Sequence, residues 1–181
     1  MNTFKVAVLI SGNGSNLQAL IDNFQKEEDP VEITCVISNK KNAFGLERAK
    51  KANIDSFFVD HNEFESREMF DQKLMQILEN YVPDLIVLAG FMRILSEVFI
   101  DKYMGKLINI HPSLLPAFKG LHAQQQAISS GVKFSGCTVH FVWPEMDAGP
   151  TIIQAVVAID QNDTPGTLAS RILIEEHKIY P

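Results

Sequence analysis

The length, composition and charge of the chain exclude several broad classes of protein. The chain has 181 residues, of which 46% are hydrophobic and 21% charged, so it can bury a substantial core and is neither disordered nor fibrous. Its 16 basic and 22 acidic residues leave a net charge of −6 without any basic cluster, and we therefore expect no nucleic-acid partner.

Short runs rich in Val and Ile alternate with helical patterns along the chain, which is typical of βαβ units around a mainly parallel sheet. The first run, residues 4–10, is too short to span a membrane and lacks the features of a signal peptide. We therefore expect a cytoplasmic protein with no membrane partner. No repeat or linker divides the chain, which predicts a single domain over residues 1–181. The predicted strands are 4–10, 31–37, 55–59, 84–89, 106–110, 135–143 and 151–158, and the predicted helices are 15–26, 42–52, 62–80, 121–130 and a final one that begins at Thr164-Pro165.

The strongest helical pattern covers residues 62–80. Asn62 and Glu65 resemble a capping box, in which two side chains bond to the free N–H groups at the start of a helix. We therefore expect the helix to begin at this pair. Its apolar residues fall on one face and predict the side that packs against the sheet: Phe70, Leu74, Ile77, Leu78 and Tyr81.

A glycine-containing turn at residues 11–16 (SGNGSN) lies where the first predicted strand ends and the first helix begins. Backbone N–H groups at a helix start attract phosphate, and glycines allow its close approach. An ordinary strand-to-helix turn is the alternative. A dinucleotide site is disfavoured because Leu17 replaces the third glycine of GxGxxG and Ser38-Asn39 replaces the acid after the second strand. We interpret the turn as a seat for a small phosphorylated ligand.

Asn109 and His111 lie at the end of the fifth predicted strand, where ligands gather in open α/β sheets. Residues two apart on an extended chain point to the same face, and the prolines that follow would stiffen the loop. An amide donor and an imidazole can then converge on one carbonyl oxygen. A structural histidine is the alternative interpretation of His111, but its neighbour Asn109 favours a catalytic role.

Asp147 lies in a loop shaped by prolines and Gly149, between two apolar strands. Taken alone, it is typical of a turn residue. Close to His111, it would favour the imidazolium form and hold a water that carries a proton between reacting nitrogens. We therefore predict that Asn109, His111 and Asp147 form a catalytic centre.

A metal site is not expected. The four other histidines form no HExxH or HxH pattern, and the two cysteines lie far apart without CxxC spacing. Both cysteines are interpreted as buried thiols, and two of the histidines as packed or supporting groups. The cysteines are Cys35 and Cys137, and the four histidines are His61, His122, His140 and His177. The two histidines interpreted as packed or supporting groups are His122 and His140.

Ordered motifs along the whole chain resemble the phosphoribosylglycinamide formyltransferases. The resemblance implies a three-layer Rossmann-like fold with a mainly parallel sheet and an antiparallel C-terminal part. It also implies formyl transfer from 10-formyltetrahydrofolate, as co-substrate and without a metal, to glycinamide ribonucleotide in purine synthesis. We expect a monomer or weak homodimer. The matching segments are residues 11–17, 89–95, 109–116, 120–122, 139–142, 146–147 and 175–177.

The resemblance also assigns substrate contacts. The phosphate would bind in the N-terminal half of the chain, and catalysis would take place in the C-terminal half. The folate would contact an apolar segment after the fourth strand and the loop that carries Asp147. The implied residues are Gly14, Ser15, Asn16 and Glu176 for the ribonucleotide, and Arg67, Met92, Arg93, Ile94, Leu95, Asn109, Trp143, Pro144, Glu145, Met146 and Asp147 for the folate.

Three alternatives remain at this point. A formyltetrahydrofolate deformylase resembles the catalytic half, but such hydrolases usually carry a second histidine at the position of Pro112 and an extra N-terminal domain. Methionyl-tRNA formyltransferases share the Ser-Leu-Leu-Pro element and add an RNA-binding domain. A non-enzymatic sugar-phosphate-binding domain would use only the turn at residues 11–16 and leave the catalytic centre unexplained. Without the resemblance, the segment 92–95 would be interpreted as plain core and Arg67 as a solvated charge.

Overall fold

The computed structural model describes residues 3–24 and 30–181. Backbone contacts divide the chain into two compact units, the first ending at Ile108 and the second beginning at Asn109. No helix among the described residues is long and apolar enough to cross a membrane.

The first unit is built from parallel strands in the order β3-β2-β1-β4. Because crossovers between parallel strands are right-handed, helices α1 and α2 cover one face, where they contact each other, and α3 covers the other. The strands are β1 (Phe4–Ile10), β2 (Val31–Ser38), β3 (Asp55–Phe58) and β4 (Leu85–Leu88), and the helices are α1 (Ser15–Phe24), α2 (Phe44–Lys51), α3 (Arg67–Tyr81) and α4 (Glu97–Lys102). The predicted helix 15–26 therefore matches α1, and its last two residues lie outside the described ranges.

Strand order in the first unit reverses at β1, whose neighbours are β2 on one side and β4 on the other. The loops after β1 and β4 leave such a reversal in opposite directions and open a crevice at the carboxyl ends of the strands. The continuous apolar run of β1 is buried on both faces, so the second half of the strand is fully enclosed: Ala7, Val8, Leu9 and Ile10 are all 0% exposed. The sheet thus presents a rigid edge on which a ligand site can form.

Strand β5 (Leu107–His111) spans the boundary between the units, and its residues from Asn109 onward belong to the second unit. The second unit also contains the antiparallel strands β6 (Phe134–Phe141) and β7 (Thr151–Ala158). Helices α5 (Ala123–Ser129) and α6 (Pro165–Ile179) contact each other and β6. The start of α6 follows the prediction, because Pro165 takes the first turn and the Thr164 side chain accepts a hydrogen bond from the Thr167 backbone.

Each unit buries one cysteine within a strand. Cys35 in β2 and Cys137 in β6 are both 0% exposed and unbonded to each other, as the sequence predicts. Burial raises the pKa of each thiol to about 12. Neither thiol is therefore reactive in the folded protein.

The predicted start of α3 is wrong. Residues His61–Glu63 form a separate 3-10 turn, in which Asp60 accepts from the Asn62 backbone, and α3 begins five residues later than predicted. Ser66 is the N-cap, because its hydroxyl accepts a hydrogen bond from the Met69 backbone at 3.2 Å. The Asn62–Glu65 capping box does not form, since the Asn62 backbone N–H, which Glu65 would accept from, donates to the Asp60 carboxylate. The short helix α4 was not predicted.

Candidate active site

The turn at residues 11–16 lines a cleft of about 210 Å³ in the first unit, together with Ala89, Gly90 and Met92 from the loop after β4. Helix α1 begins at Ser15, and the Gly14 carbonyl accepts its first intrahelical bond, from the Gln18 backbone at 2.9 Å. The N–H groups of the first helical turn have no intrahelical acceptor. The cleft therefore has the shape and the donors of an anion seat.

Arg48 of α2 holds this turn through hydrogen bonds from its guanidinium. Its Nε and Nη2 each donate to Asn13, to the carbonyl and to the side-chain oxygen, both at 2.9 Å, and its Nη1 donates to Gln18 at 3.0 Å. The guanidinium also lies over the Phe44 ring, 4.8 Å from its centroid. A rigid fork of donors thus fixes the turn in one conformation. No local sequence pattern indicates this role of Arg48, because the contact joins residues 35 positions apart.

Gly14 packs directly on Gly45, and the position of Gly14 requires glycine. A Cβ on Gly14 would lie 2.7 Å from the Gly45 Cα, and Gly14 has a φ of +73°. A Cβ on Gly45 would lie 3.3 Å from the Gly14 Cα and would also displace the end of the Ile10 side chain. The close approach of α2 to the turn therefore depends mainly on the absence of a side chain at Gly14.

Gly14→Ala is expected to lower the free energy of unfolding by about 1–3 kcal/mol, because the new Cβ meets backbone and the residue keeps a left-handed conformation. Inorganic phosphate or ribose 5-phosphate should also bind more weakly, as titration calorimetry would measure. Gly12→Ala is the matched control for stability, since a Cβ there meets nothing within 4 Å. Equal denaturation midpoints for the two variants would contradict this account.

The loop after β4 is held at both ends by buried polar groups of the first unit. The Met92 backbone donates to the Ser11 hydroxyl at 2.7 Å, and Ser11 donates to Asn39 at 2.5 Å. At the other end, the Ser96 backbone donates to the Asp71 carboxylate at 2.6 Å. Burial raises the pKa of Asp71. The loop is therefore pinned while the residues between its ends remain free to meet a ligand.

The segment 92–95 is mostly exposed. Met92 is 66% and Ile94 58% exposed, Arg93 is also exposed, and only Leu95 is buried. The interpretation of this segment as plain core therefore holds for Leu95 alone. Arg67, at the start of α3, is exposed as well. Exposed apolar side chains on a pinned loop suit contact with a flat, largely apolar ligand.

A cluster of four polar side chains lies in the second unit, and we call Asn109, His111, His140 and Asp147 the polar cluster. The Asn109 amide nitrogen lies 3.3 Å from His140 Nε2, and His140 Nδ1 lies 2.9 Å from the Phe141 carbonyl. Because a carbonyl only accepts, the His140 proton is on Nδ1, and its Nε2 accepts from the Asn109 amide. His140 therefore fixes which end of the Asn109 amide carries the N–H groups.

His111 and Asp147 form the second half of the polar cluster. His111 Nδ1 lies 3.4 Å from Asp147 Oδ2, and His111 Nε2 lies 2.9 Å from the Phe118 carbonyl. Both ring nitrogens thus face oxygen acceptors. The Asp147 carboxylate also accepts from the Gly120 backbone at 2.8 Å and lies 3.8 Å from His140 Nε2. The structure brings together the three residues of the predicted catalytic centre and adds His140.

Burial lowers the pKa of His140 below its usual value of 6.5. The hydrogen bond to Phe141 and the Asp147 carboxylate oppose this shift, and His111 adds to it. The unfolded chain therefore takes up this proton at a higher pH than the folded protein does. The stability that neutral His140 contributes is complete above about pH 6.5 and is lost as the pH falls through the lower folded-state pKa.

The melting temperature of the wild-type protein should consequently fall between pH 8 and pH 5 by more than that of His140→Gln, which cannot take up a proton in this range. Differential scanning calorimetry at both pH values measures this difference. Each protein serves as its own reference at pH 8, so a general loss of stability in the variant does not affect the comparison. If the melting temperatures of the two proteins fell equally between pH 8 and pH 5, His140 would not be a source of the loss of stability at low pH.

The remaining predicted contacts of the second unit differ in exposure. Trp143 and Met146 are 46% and 55% exposed, and Pro144 and Glu145 between them are exposed too. Glu176 of α6 is only 7% exposed. Among the described residues, no three His, Cys, Asp or Glu side chains are grouped so that they could hold a metal ion.

Sequence reasoning missed the supporting groups of the polar cluster, namely the Phe118 carbonyl and the Gly120 N–H. Neither is a side chain, so residue type carries no signal for them. Gly120 has a φ of +76°, and a glycine in the sequence is a weak indication of such a backbone conformation. Phe118 and Asp147 adopt φ values of 56° and 52° without being glycine, so their residue types do not indicate it. Such conformations cluster at functional sites.

Comparisons with known proteins agree with one another. The sequence model of a family described as formyl transferase matches residues 4–181. A phosphoribosylglycinamide formyltransferase of Escherichia coli (strain K12) is 48% identical over 97% of this chain and 83% of its own length. The trifunctional purine biosynthetic protein adenosine-3 of Homo sapiens is 49% identical over 98% of this chain, which spans only 18% of that protein.

Solved structures extend the similarity to the fold. Glycinamide ribonucleotide transformylase 1 from Symbiobacterium toebii aligns with a TM-score of 0.96 and 46% identity, over 99% of this chain and 85% of that chain. A phosphoribosylglycinamide formyltransferase from Coxiella burnetii aligns with a TM-score of 0.93 and 47% identity, over 99% of this chain and 84% of that chain. The predicted α/β fold, with a mainly parallel sheet and an antiparallel C-terminal part, is confirmed.

Proposed function

Because this chain belongs to the formyl transferase family, we propose that it transfers the formyl group of 10-formyltetrahydrofolate to the amine of glycinamide ribonucleotide. This step belongs to purine synthesis, the process in the name of its trifunctional relatives. The observation that carries the proposal is the pairing of His111 with Asp147 beside Asn109. Binding of a sugar phosphate alone does not require a buried histidine–carboxylate pair.

Asn109 and His111 supply the donors that this reaction needs. When the amine attacks the formyl carbon, the formyl oxygen becomes negative. The NH₂ group of Asn109 gives one N–H to His140 and retains another for this oxygen. A charged hydrogen bond spans about 2.8 Å. Because His111 Nδ1 lies 3.4 Å from Asp147, its N–H is only loosely engaged and can donate to the oxygen as well. Fixed donors of this kind lower the barrier to acyl transfer.

Asp147 completes the set by stabilising protonated His111 and by holding a water for proton transfer. The amine loses one proton when its bond to the formyl carbon forms, and the folate nitrogen gains one when its own bond to that carbon breaks. The reaction therefore consumes no net proton, and a water held by Asp147 can relay it. Asp147 keeps a fixed orientation because the Gly120 backbone binds one of its oxygens.

The proposed substrate contacts follow the exposure and chemistry of the residues. The cleft in the first unit supports phosphate binding by Gly14, Ser15 and Asn16. The buried carboxyl of Glu176 suits the polar glycinamide side of the substrate. Exposed apolar side chains support folate binding, with Leu95 as the buried exception, and Arg67 offers a charge for a folate carboxylate. The proposed folate contacts are Arg67, Met92, Arg93, Ile94, Leu95, Asn109, Trp143, Pro144, Glu145, Met146 and Asp147.

The deciding experiment measures the release of tetrahydrofolate from 10-formyltetrahydrofolate with and without glycinamide ribonucleotide. We expect turnover only when the amine is present, together with one formylated product for each folate released. Folate turnover that ignores the amine would favour the deformylase. Binding of ribose 5-phosphate without any folate turnover would favour the non-enzymatic alternative.

The family match over residues 4–181 supports the proposal that both units serve as one formyltransferase domain. The monomeric or weakly dimeric state and the cytoplasmic location stay predictions from the sequence.

A further inference from the structure

The loop of residues 118–122 provides both backbone contacts of the His111–Asp147 pair. The Phe118 carbonyl accepts from His111 Nε2 at 2.9 Å, and the Gly120 N–H donates to Asp147 Oδ2 at 2.8 Å. The orientation of both side chains therefore depends on the conformation of this loop.

The loop adopts a conformation that it would not hold alone. Phe118, Gly120 and His122 have φ values of 56°, 76° and 60°, so two residues that are not glycine occupy the left-handed region. Such residues persist only where surrounding contacts hold them. A group outside the loop must therefore maintain this backbone.

Gln126 of α5 is that group. Its side-chain amide nitrogen donates to the Lys119 carbonyl at 3.0 Å and to the Leu121 carbonyl at 2.9 Å. Both N–H groups of the amide are thus used, one on each side of Gly120. The side chain is part-buried and fastens the loop to the helix that follows it.

The Lys119 carbonyl and the Gly120 N–H belong to the same peptide group. That group is planar and trans, because the only cis bond among the described residues joins Leu115 to Pro116. Its C=O and N–H therefore point in opposite directions, the first to Gln126 and the second to Asp147. A hydrogen bond to the carbonyl also polarises the N–H and strengthens its bond to the carboxylate.

We propose that Gln126 is a positioning residue, which orients the Lys119–Gly120 peptide and through it holds the Asp147 carboxylate against His111. Its effect on rate rests on the proposed formyl transfer, whereas its effect on the Gly120 amide does not. Nothing in the substrate needs to touch Gln126 for this role.

The test compares Gln126→Met and Gln126→Glu, which keep the length of the side chain and remove its N–H donors, with Gln125→Met as the matched control. Gln125 is exposed on the same helix, and its amide donates to the Ser129 hydroxyl one turn further along. We expect both Gln126 variants to lower kcat about tenfold, the size of one supporting hydrogen bond, with both KM values within about twofold. Gln125→Met should retain wild-type kcat.

Two further measurements separate positioning from general support of the fold. Hydrogen exchange of the Gly120 amide should accelerate at least tenfold in Gln126→Met, while amides of β6 keep their protection. Combined with Asp147→Asn, Gln126→Met should lower kcat by much less than it does alone, because both act through one carboxylate. Unchanged Gly120 exchange, or effects on kcat that multiply in full, would overturn the proposal. If the wild-type protein transfers no formyl group, the proposed function fails, and Gly120 exchange still decides the role of Gln126.

Discussion

Replacing His111 by alanine is expected to lower the rate of formyl transfer by a hundredfold or more, the largest effect of any single change in the polar cluster. The imidazole faces both Asp147 and the Phe118 carbonyl and supplies one of two proposed donors to the formyl oxygen. Loss of one fixed donor at such an oxygen reduces kcat by about 10²–10³. Single-turnover kinetics with 10-formyltetrahydrofolate and glycinamide ribonucleotide measure the step directly.

The matching control is His122→Asn. His122 is an exposed histidine at the start of α5 with a φ of 60°, and asparagine tolerates that conformation. It should leave the rate near that of the wild type. Titration with ribose 5-phosphate should give a similar dissociation constant for His111→Ala and the wild type, because the phosphate cleft lies in the first unit. Wild-type turnover in His111→Ala would remove this residue from the mechanism.

Asp147→Asn is expected to reduce the transfer rate by roughly a hundredfold, in the range of general acid–base contributions. The change removes the charge beside His111 but keeps an oxygen that can accept from Gly120. Asparagine also tolerates the φ of 52° at this position, so the loop should retain its backbone. Single-turnover kinetics at one fixed pH measure this ratio against the wild type.

Glu145→Gln provides the same change of charge in the same loop. Its side chain is 78% exposed and pairs with Lys119 at 3.4 Å, so the transfer rate of this variant should match that of the wild type. If Asp147→Asn retained the transfer rate of the wild type, the pairing of Asp147 with His111 would have no part in the reaction.

Local patterns in the sequence predicted the strands because their cause is local. The apolar runs of β1 and β7 have the predicted bounds, Phe4–Ile10 and Thr151–Ala158, since both strands are runs of consecutive apolar and β-branched residues, although β1 is largely buried and β7 mostly exposed. The alternation of β5 likewise predicted that Asn109 and His111 share a face. The start of α3 was missed because several residues near it can cap a helix, and only the observed bond from Met69 to Ser66 decides between them.

Most supporting parts of the site could not be predicted, because they depend on contacts between distant residues or on the backbone. His140 was interpreted as a packed or supporting group, but its contact with Asn109, 31 positions away, was not predicted, and Arg48 meets Asn13 across 35 positions. The role of Gly120 lies in an N–H group that every residue except proline carries. Residue type identified the groups that would meet the substrate, whereas only the structure identifies the groups that orient them.

The two buried cysteines make opening of the two units separately measurable. A thiol reagent modifies a cysteine only after the strand around it has opened and the thiolate has formed, so the native protein should react slowly at both positions. Cys35 lies in β2 of the first unit and Cys137 in β6 of the second. Mass spectrometry of the labelled peptides would therefore give two independent opening rates from one unmodified chain. Equal rates would indicate that the units unfold together, and unequal rates would identify the one that opens first.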